Sequence, residues 1–310
     1  MSRRALAVLT ALFAASLLAP REASAFCRTW TCNPTKETCP PDPGNPACPG
    51  GTPGTHHPLF WPVPCVGFAL NQNAIKSLPG TPEQKYAAFE KAANTSFATW
   101  QNAKCANGQH PSLAFANMGP AACDRHEFNS DQGNANLIVA HDDVWPFPNG
   151  PNLYALTTLT FNVASGEIYD ADIEINGTKS FTVGDVGVQV DLVSILTREA
   201  GRFLGLNYST RADATMANAY EEKTTWMRDL TEDDVAGICA IYPSDRVNLP
   251  ECDPTPRHGF SPECSIVRTD PKGVGGCAVG AGPERHVGTG GLALLAGACA
   301  LSIARRRRRA

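Results

Sequence analysis

No C-x-x-C spacing occurs among the twelve cysteines of this chain, so the paired-thiolate metal motifs are excluded. A G-x-S-x-G elbow is missing, and so is a phosphate-binding glycine loop, which removes two common catalytic arrangements. No internal repeat is present. An excess of positive charge is missing too. The first 25 residues carry net +2 and residues 278–310 net +5, so the overall −4 leaves −11 on the part between them. Such an acidic stretch is a poor nucleic-acid partner.

Both ends are legible. Arg3 and Arg4, an apolar run from Ala5 to Ala19 and the A-x-A sequence Ala23-Ser24-Ala25 have the form of a secretory signal, with the mature chain beginning at Phe26. Ordinary secretion is expected over a twin-arginine route. At the other end, Gly288 to Ala304 is an uncharged, mostly apolar run of 17 residues followed by Arg305 to Arg309. That run is at the lower limit for a bilayer span, and the arginines would stay cytoplasmic. Export fits the ten cysteines from Cys27 to Cys264, an even number that suits disulfides of unassigned connectivity.

Two segments rich in proline, glycine and cysteine, 26–64 and 244–276, flank a central domain of 65–243. In that domain Thr81-Pro82-Glu83-Gln84 is a capping box, and apolar residues from Tyr86 to Trp100 predict a helix to about Asn102. Leu113 to Phe115 and Leu137 to Ala140 suit strands. Tyr154 to Asn162, the turn Ser165-Gly166 and the alternating residues Tyr169 to Ile175 predict a hairpin, with Asp170, Asp172 and Glu174 on the face opposite the apolar one. A second helix starts near Asp191 and stops at Gly205, and a third spans Thr231 to Tyr242. The expected fold class is α/β (α+β), one mixed sheet with about three helices.

The second helix carries Arg198-Glu199-Ala200-Gly201-Arg202-Phe203-Leu204-Gly205-Leu206-Asn207-Tyr208. It resembles H-E-x-x-H-x-x-G-x-x-H, the metzincin signature. Further segments follow in order: Cys65 to Asn71, Ala155 to Asn176, Ala214-Thr215-Met216, and Asp233 to Ile238 running on to Ala240-Ile241-Tyr242-Pro243. Together they resemble the matrixins, the extracellular zinc endopeptidases of the metzincin group. Glycine-cysteine at Gly276-Cys277, the apolar run and the terminal arginines likewise resemble myxobacterial C-terminal sorting tails. That second resemblance implies cleavage near Cys277 and attachment to the outer cell surface; a simple tail anchor is the other reading.

The first resemblance implies a zinc held by three imidazoles, with a neighbouring glutamate as general base. Glu199 stands at the base position, Gly205 at the bend and Met216 at the methionine turn. Arg198, Arg202 and Tyr208 occupy the three ligand positions. A guanidinium has no lone pair to give. One placed about 4 Å from a divalent ion repels it by roughly 8 kcal/mol at an effective dielectric of about 20. No zinc is therefore expected, and the site is read as a pseudoenzyme centre.

Arg198 and Arg202 lie one turn apart, so they project from one side, either bridging to Glu199 or presenting a pair to a carboxylate-bearing ligand. Asp170 and Asp172 are calcium candidates, on donor chemistry and on what the resemblance implies; a solvated strand face is the plainer alternative. His56-His57, His110, His126 and His141 have no partner at helical ligand spacing, and His141-Asp142-Asp143 is a weaker cation candidate. The expected function is a secreted, surface-anchored binding or structural module with an unidentified protein or peptide partner, a membrane attachment through its tail and no nucleic acid. The alternatives are an active zinc endopeptidase with unusual ligands, and a surface adhesin.

Overall fold

The computed structural model describes residues 25–147, 150, 152–263 and the strand Val274–Ala278. The signal segment before residue 25 and the apolar run 288–304 lie outside the described residues. Among the described residues no helix is long and apolar enough to cross a membrane.

The first helix, α1 (Pro82–Gln101), begins as the capping box requires: the Thr81 hydroxyl accepts from the Gln84 amide, and the Gln84 side chain accepts from the Thr81 amide. Its apolar stripe buries Phe89, Ala93, Phe97 and Trp100. The stripe packs on α2 (Leu192–Phe203), where Trp100 Nε1 donates to the Thr197 carbonyl at 2.7 Å. Phe97 stacks on Phe68 at 4.3 Å and meets Phe203 edge-on at 5.1 Å, which ties both helices to the sheet. The third helix, α3 (Glu232–Ile241), has its own capping box through Thr231 and Asp234.

The sheet has six strands. In chain order they are β2 (Cys65–Asn71), β3 (Ala114–Ala121), β4 (Leu137–Ala140), β5 (Ala155–Asn162), β6 (Ile168–Ile175) and β10 (Val274–Ala278), arranged β10-β5-β6-β4-β2-β3. The run β6-β4-β2-β3 is parallel, and β5 and β10 are antiparallel additions. Short pairs complete the set: β1 (Cys27–Arg28) with β9 (Leu206–Asn207), and β7 (Phe181–Thr182) with β8 (Val190–Asp191). The expected mixed sheet and three helices are present. Strand β3 runs six residues beyond Phe115, because an outermost strand tolerates Gly119 and Pro120 where a central one would not.

Four disulfides join Cys27 to Cys48, Cys32 to Cys39, Cys65 to Cys252 and Cys105 to Cys239, and Cys123 is also disulfide-bonded. The first two staple the amino-terminal arm. That arm is more than a linker, since Leu59 and Trp61 lie inside the main core.

Candidate functional site

Helix α2 is set by its ends. Asp191 caps the first turn by accepting from the Ser194 amide at 2.8 Å, and Arg228 grips the same carboxylate through Nε and Nη2 at 2.8 and 2.6 Å. At the other end Trp61 Nε1 donates to the Phe203 carbonyl and the Tyr242 hydroxyl to that of Leu204. Gly205 then turns the chain at φ +89°, with the place of a Cβ only 2.6 Å from the Leu59 carbonyl oxygen, so both conformation and space demand glycine. The chain leaves as β9 beneath the amino-terminal arm.

The structure brings Arg198, Glu199, Arg202 and Tyr208 together. Arg198 is 0%, Glu199 1% and Arg202 2% exposed. Arg198 Nε lies 3.3 Å from Glu199 Oε1, and Arg202 Nε 3.9 Å from Oε2. Thr157 on β5 donates its hydroxyl to Glu199 Oε2 at 2.7 Å. Arg202 also donates through Nη1 to Asn207 Oδ1 at 3.4 Å, and its guanidinium sits 4.5 Å over the Tyr208 ring. Thus Glu199 stands between two cations and a hydroxyl, and α2 is tied through it to β5.

Met216 lies against α2 at Gly201. A Cβ on Gly201 would sit 2.3 Å from Met216 Sδ and 2.6 Å from Trp100 Cζ2, so the turn packs directly under the helix. Asp234 holds the turn by accepting from the Thr215 and Met216 amides at 2.8 and 2.9 Å. Sequence reasoning assigned no role to Thr157, Asn207 or Asp234. The signal that could have found Asp234 is its position three residues after Thr231, the spacing of a capping box.

The carboxylate row on β6 is not a solvated face. Asp170, Asp172 and Glu174 are all buried, because the segment leading to β4 crosses them. Asp172 accepts from the Leu137 amide at 2.7 Å and the Glu127 amide at 3.2 Å. Glu174 lies 2.9 Å from both His141 Nε2 and His126 Nδ1. His141 therefore turns away from Asp142 and Asp143, which engage Lys76 instead. Near the arm, Cys32, Glu37 and His56 converge, but the Cys32 sulfur is bonded to Cys39 and is no free ligand. Cys277 falls within β10, opposite Leu159 of β5.

Burial pushes the Asp172 carboxyl up to about 7, and burial with the adjacent Asp172 carries Asp170 well above the ordinary range. For Glu174 burial acts upward, but His126 and His141 outweigh it and hold the group low. The native state thus keeps a proton on Asp172 that the unfolded chain loses at about 3.9. The stability this contributes is complete below that value and is lost as pH rises through about 7. Glu174 contributes in the opposite sense, with stability present above its unfolded value and lost in acid. Thermal melts should therefore show Tm falling from about pH 5.5 to pH 8, and Asp172→Asn should flatten that slope. A wild-type Tm that is level across this range contradicts the assignment.

The geometry is that of a metallopeptidase-type α/β domain, with a glutamate-bearing helix over a methionine turn. The Matrixin family model matches residues 74–243, more than half of the chain, and the chain belongs to that family. It is 27% identical to human matrix metalloproteinase-20 over 174 residues, 54% of this chain and 31% of that protein. Over 67 residues it is 40% identical to metalloendoproteinase 1-MMP of Arabidopsis thaliana, 21% of this chain and 18% of that one. Over 117 residues it is 31% identical to mouse stromelysin-1, covering 36% and 23% respectively. The chain thus spans less than a third of the length of these relatives.

Proposed function

We propose that this chain is a secreted, surface-attached matrixin homologue without peptidase activity, whose central domain serves as a binding or structural module. The observation that carries the reading is the engagement of Glu199. A general base in a zinc peptidase must accept a proton from metal-bound water. Here the carboxylate is 1% exposed, accepts from Thr157 and lies between Arg198 and Arg202.

Arg198, Arg202 and Tyr208 do not fit a zinc ion, since two of them are permanent cations without lone pairs and a neutral phenol is a poor ligand. What the two arginines do is share the Glu199 carboxylate, and the cluster ties α2 to β5 and β9. An acidic peptide seeking the guanidinium pair would have to displace Glu199, so the partner, a protein or peptide not yet identified, is better accommodated elsewhere on the domain. The signal at 1–25 and the tail beyond Cys277 supply the expected export and attachment. Calcium at Asp170 and Asp172 belongs to the same proposal. Its binding there requires both carboxyls to give up their protons, so uptake should weaken as pH falls below about 7. Asp170 Oδ1 is buried without a hydrogen-bond partner, the kind of oxygen a hard cation satisfies.

Elemental analysis of the purified secreted protein tests both metals. Calcium without zinc, and no chelator-sensitive cleavage of a protein substrate, is the expected result. Stoichiometric zinc with such cleavage sinks the proposal. The combined Arg198→His, Arg202→His and Tyr208→His variant should gain zinc. If it folds and takes up none, the ligand positions are misassigned.

A further inference from the structure

We infer that the cavity beneath residues 253–259, at the start of β2 and β6, binds an aromatic carboxylate, with the ring inside and the carboxylate on Arg257. This goes beyond the proposed function and does not depend on the state of Glu199.

The chain beyond α3 builds the site. Cys252 is bonded to Cys65 at the start of β2, and the residues that follow cross back over the sheet. Gly67 lets them close. Its neighbours Val66 and Phe68 turn to the main core, and on the opposite side a Cβ at Gly67 would overlap the Pro254 carbonyl. Further along, the Asn134 side chain donates to the Arg257 carbonyl at 2.8 Å. The Gly259 amide donates to the Pro256 carbonyl at 2.9 Å, and His258 between them adopts the left-handed conformation at φ +65°. The crossing segment is thus fixed at both ends before any ligand arrives.

Between this segment and the two strands lies a cavity of about 190 Å³. Its walls are largely apolar, from Trp61, Pro62, Val63, Pro254 and Pro256. An apolar cavity of about 150 Å³ is large enough for benzene, so one six-membered ring fits here.

A single charged side chain stands on the lining. The Arg257 guanidinium lies 4.0 Å over the Tyr169 ring, and Asn162 holds Tyr169 in turn by donating to its hydroxyl at 2.8 Å. Stacking fixes the plane of the guanidinium and leaves its N–H edge to a planar acceptor. No acidic residue lines the cavity, and among the described residues no carboxylate pairs with Arg257. Asp253, on the same segment, accepts from the Thr255 amide at 2.9 Å instead. A guanidinium without a carboxylate partner, beside an apolar cavity in an acidic protein, selects an anionic group carried on an apolar body. A ring bearing a carboxylate has that form, either as a free aryl acid or as the C-terminal phenylalanine of a polypeptide.

Titration of the secreted full chain with phenylacetate, followed by amide NMR, tests this. Shifts are expected at Gly67, Tyr169 and Arg257, with a Kd of about 1 mM, ordinary for a ligand of about ten non-hydrogen atoms. Arg257→Gln should weaken phenylacetate about tenfold or more and leave the uncharged phenylacetamide unchanged. Arg257→Lys, which keeps the charge but not the planar fork, should fall between. Thr255→Trp, at the exposed lip, should block both ligands. Unchanged melting temperatures show that the variants are folded. A Gly-Gly-Phe peptide separates the two sources. Tighter binding than phenylacetate, lost on amidation, assigns the site to a polypeptide C-terminus, and weaker binding assigns it to a free aryl acid.

No shifts at these positions with either acid at about 10 mM overturn the inference. Phenylacetate affinity that survives Arg257→Gln does the same. Shifts confined to α2 put the carboxylate on the Arg198–Arg202 pair and likewise overturn it. Zinc content, measured on the same samples, bears only on the proposed function.

Discussion

Glu199→Gln is expected to lower the stability of the domain by about 3–5 kcal/mol, the usual consequence of removing one partner from a buried ion cluster. The glutamine occupies nearly the same volume and still offers an oxygen to the Thr157 hydroxyl. What it removes is the negative charge that faces Arg198 Nε at 3.3 Å and Arg202 Nε at 3.9 Å. Both guanidinium groups are essentially inaccessible to water, so solvent cannot take over the role of the carboxylate. Urea unfolding provides the measurement: the midpoint should fall while the slope stays constant, since the area exposed on unfolding is unchanged. Little dependence on salt is expected, because screening acts weakly on buried pairs. A loss below about 1 kcal/mol would place the pair in the class of exposed ion pairs and remove the neutralising role assigned to Glu199.

The second large effect is expected at Asp234, outside the eleven-residue motif. This fully buried carboxylate accepts from the amides of Thr215, Met216 and Thr231 and from the Thr231 hydroxyl. Asp234→Ala leaves three backbone donors without their acceptor, at about 1–3 kcal/mol each before relaxation, so a total near 4 kcal/mol is reasonable. It also undoes the cap of α3. The local signature separates this from a general loss of stability. Amide protection should fall first at Thr215 and Met216, as the turn under Gly201 loosens. Asp213→Ala, at an exposed neighbour paired only with Arg211, should cost no more than about 0.5 kcal/mol. Equal effects at the two positions would contradict the anchoring role.

The elements with strong local signals were readable from the sequence. The capping box at Thr81, the caps at Asp191 and Thr231 and the Gly205 stop locate all three helices to within two residues. A run rich in threonine and apolar residues locates β5, and alternation locates β6. Tertiary facts were not readable in the same way. Alternating polar and apolar residues on β6 show that its faces differ in chemistry, but not that a loop would bury the polar one over Asp170, Asp172 and Glu174. Gly119-Pro120 and Gly275-Gly276 argue against strand locally, and only a place at the sheet edge overrides that. The convergence of Thr157 and Glu199, 42 positions apart, depends on how α2 lies against β5 and leaves no local trace.

The contact of the one Glu199 carboxylate with both Arg198 and Arg202 also makes this region hard to change in small steps. Exchanging either arginine alone for histidine takes away a charge facing the carboxylate while supplying one imidazole out of three. Intermediates on any path between this cluster and a three-imidazole centre have neither the bridged contacts of this cluster nor a working ligand set. Two stable end states with costly ground between them form a fitness valley, and drift one substitution at a time does not readily cross it.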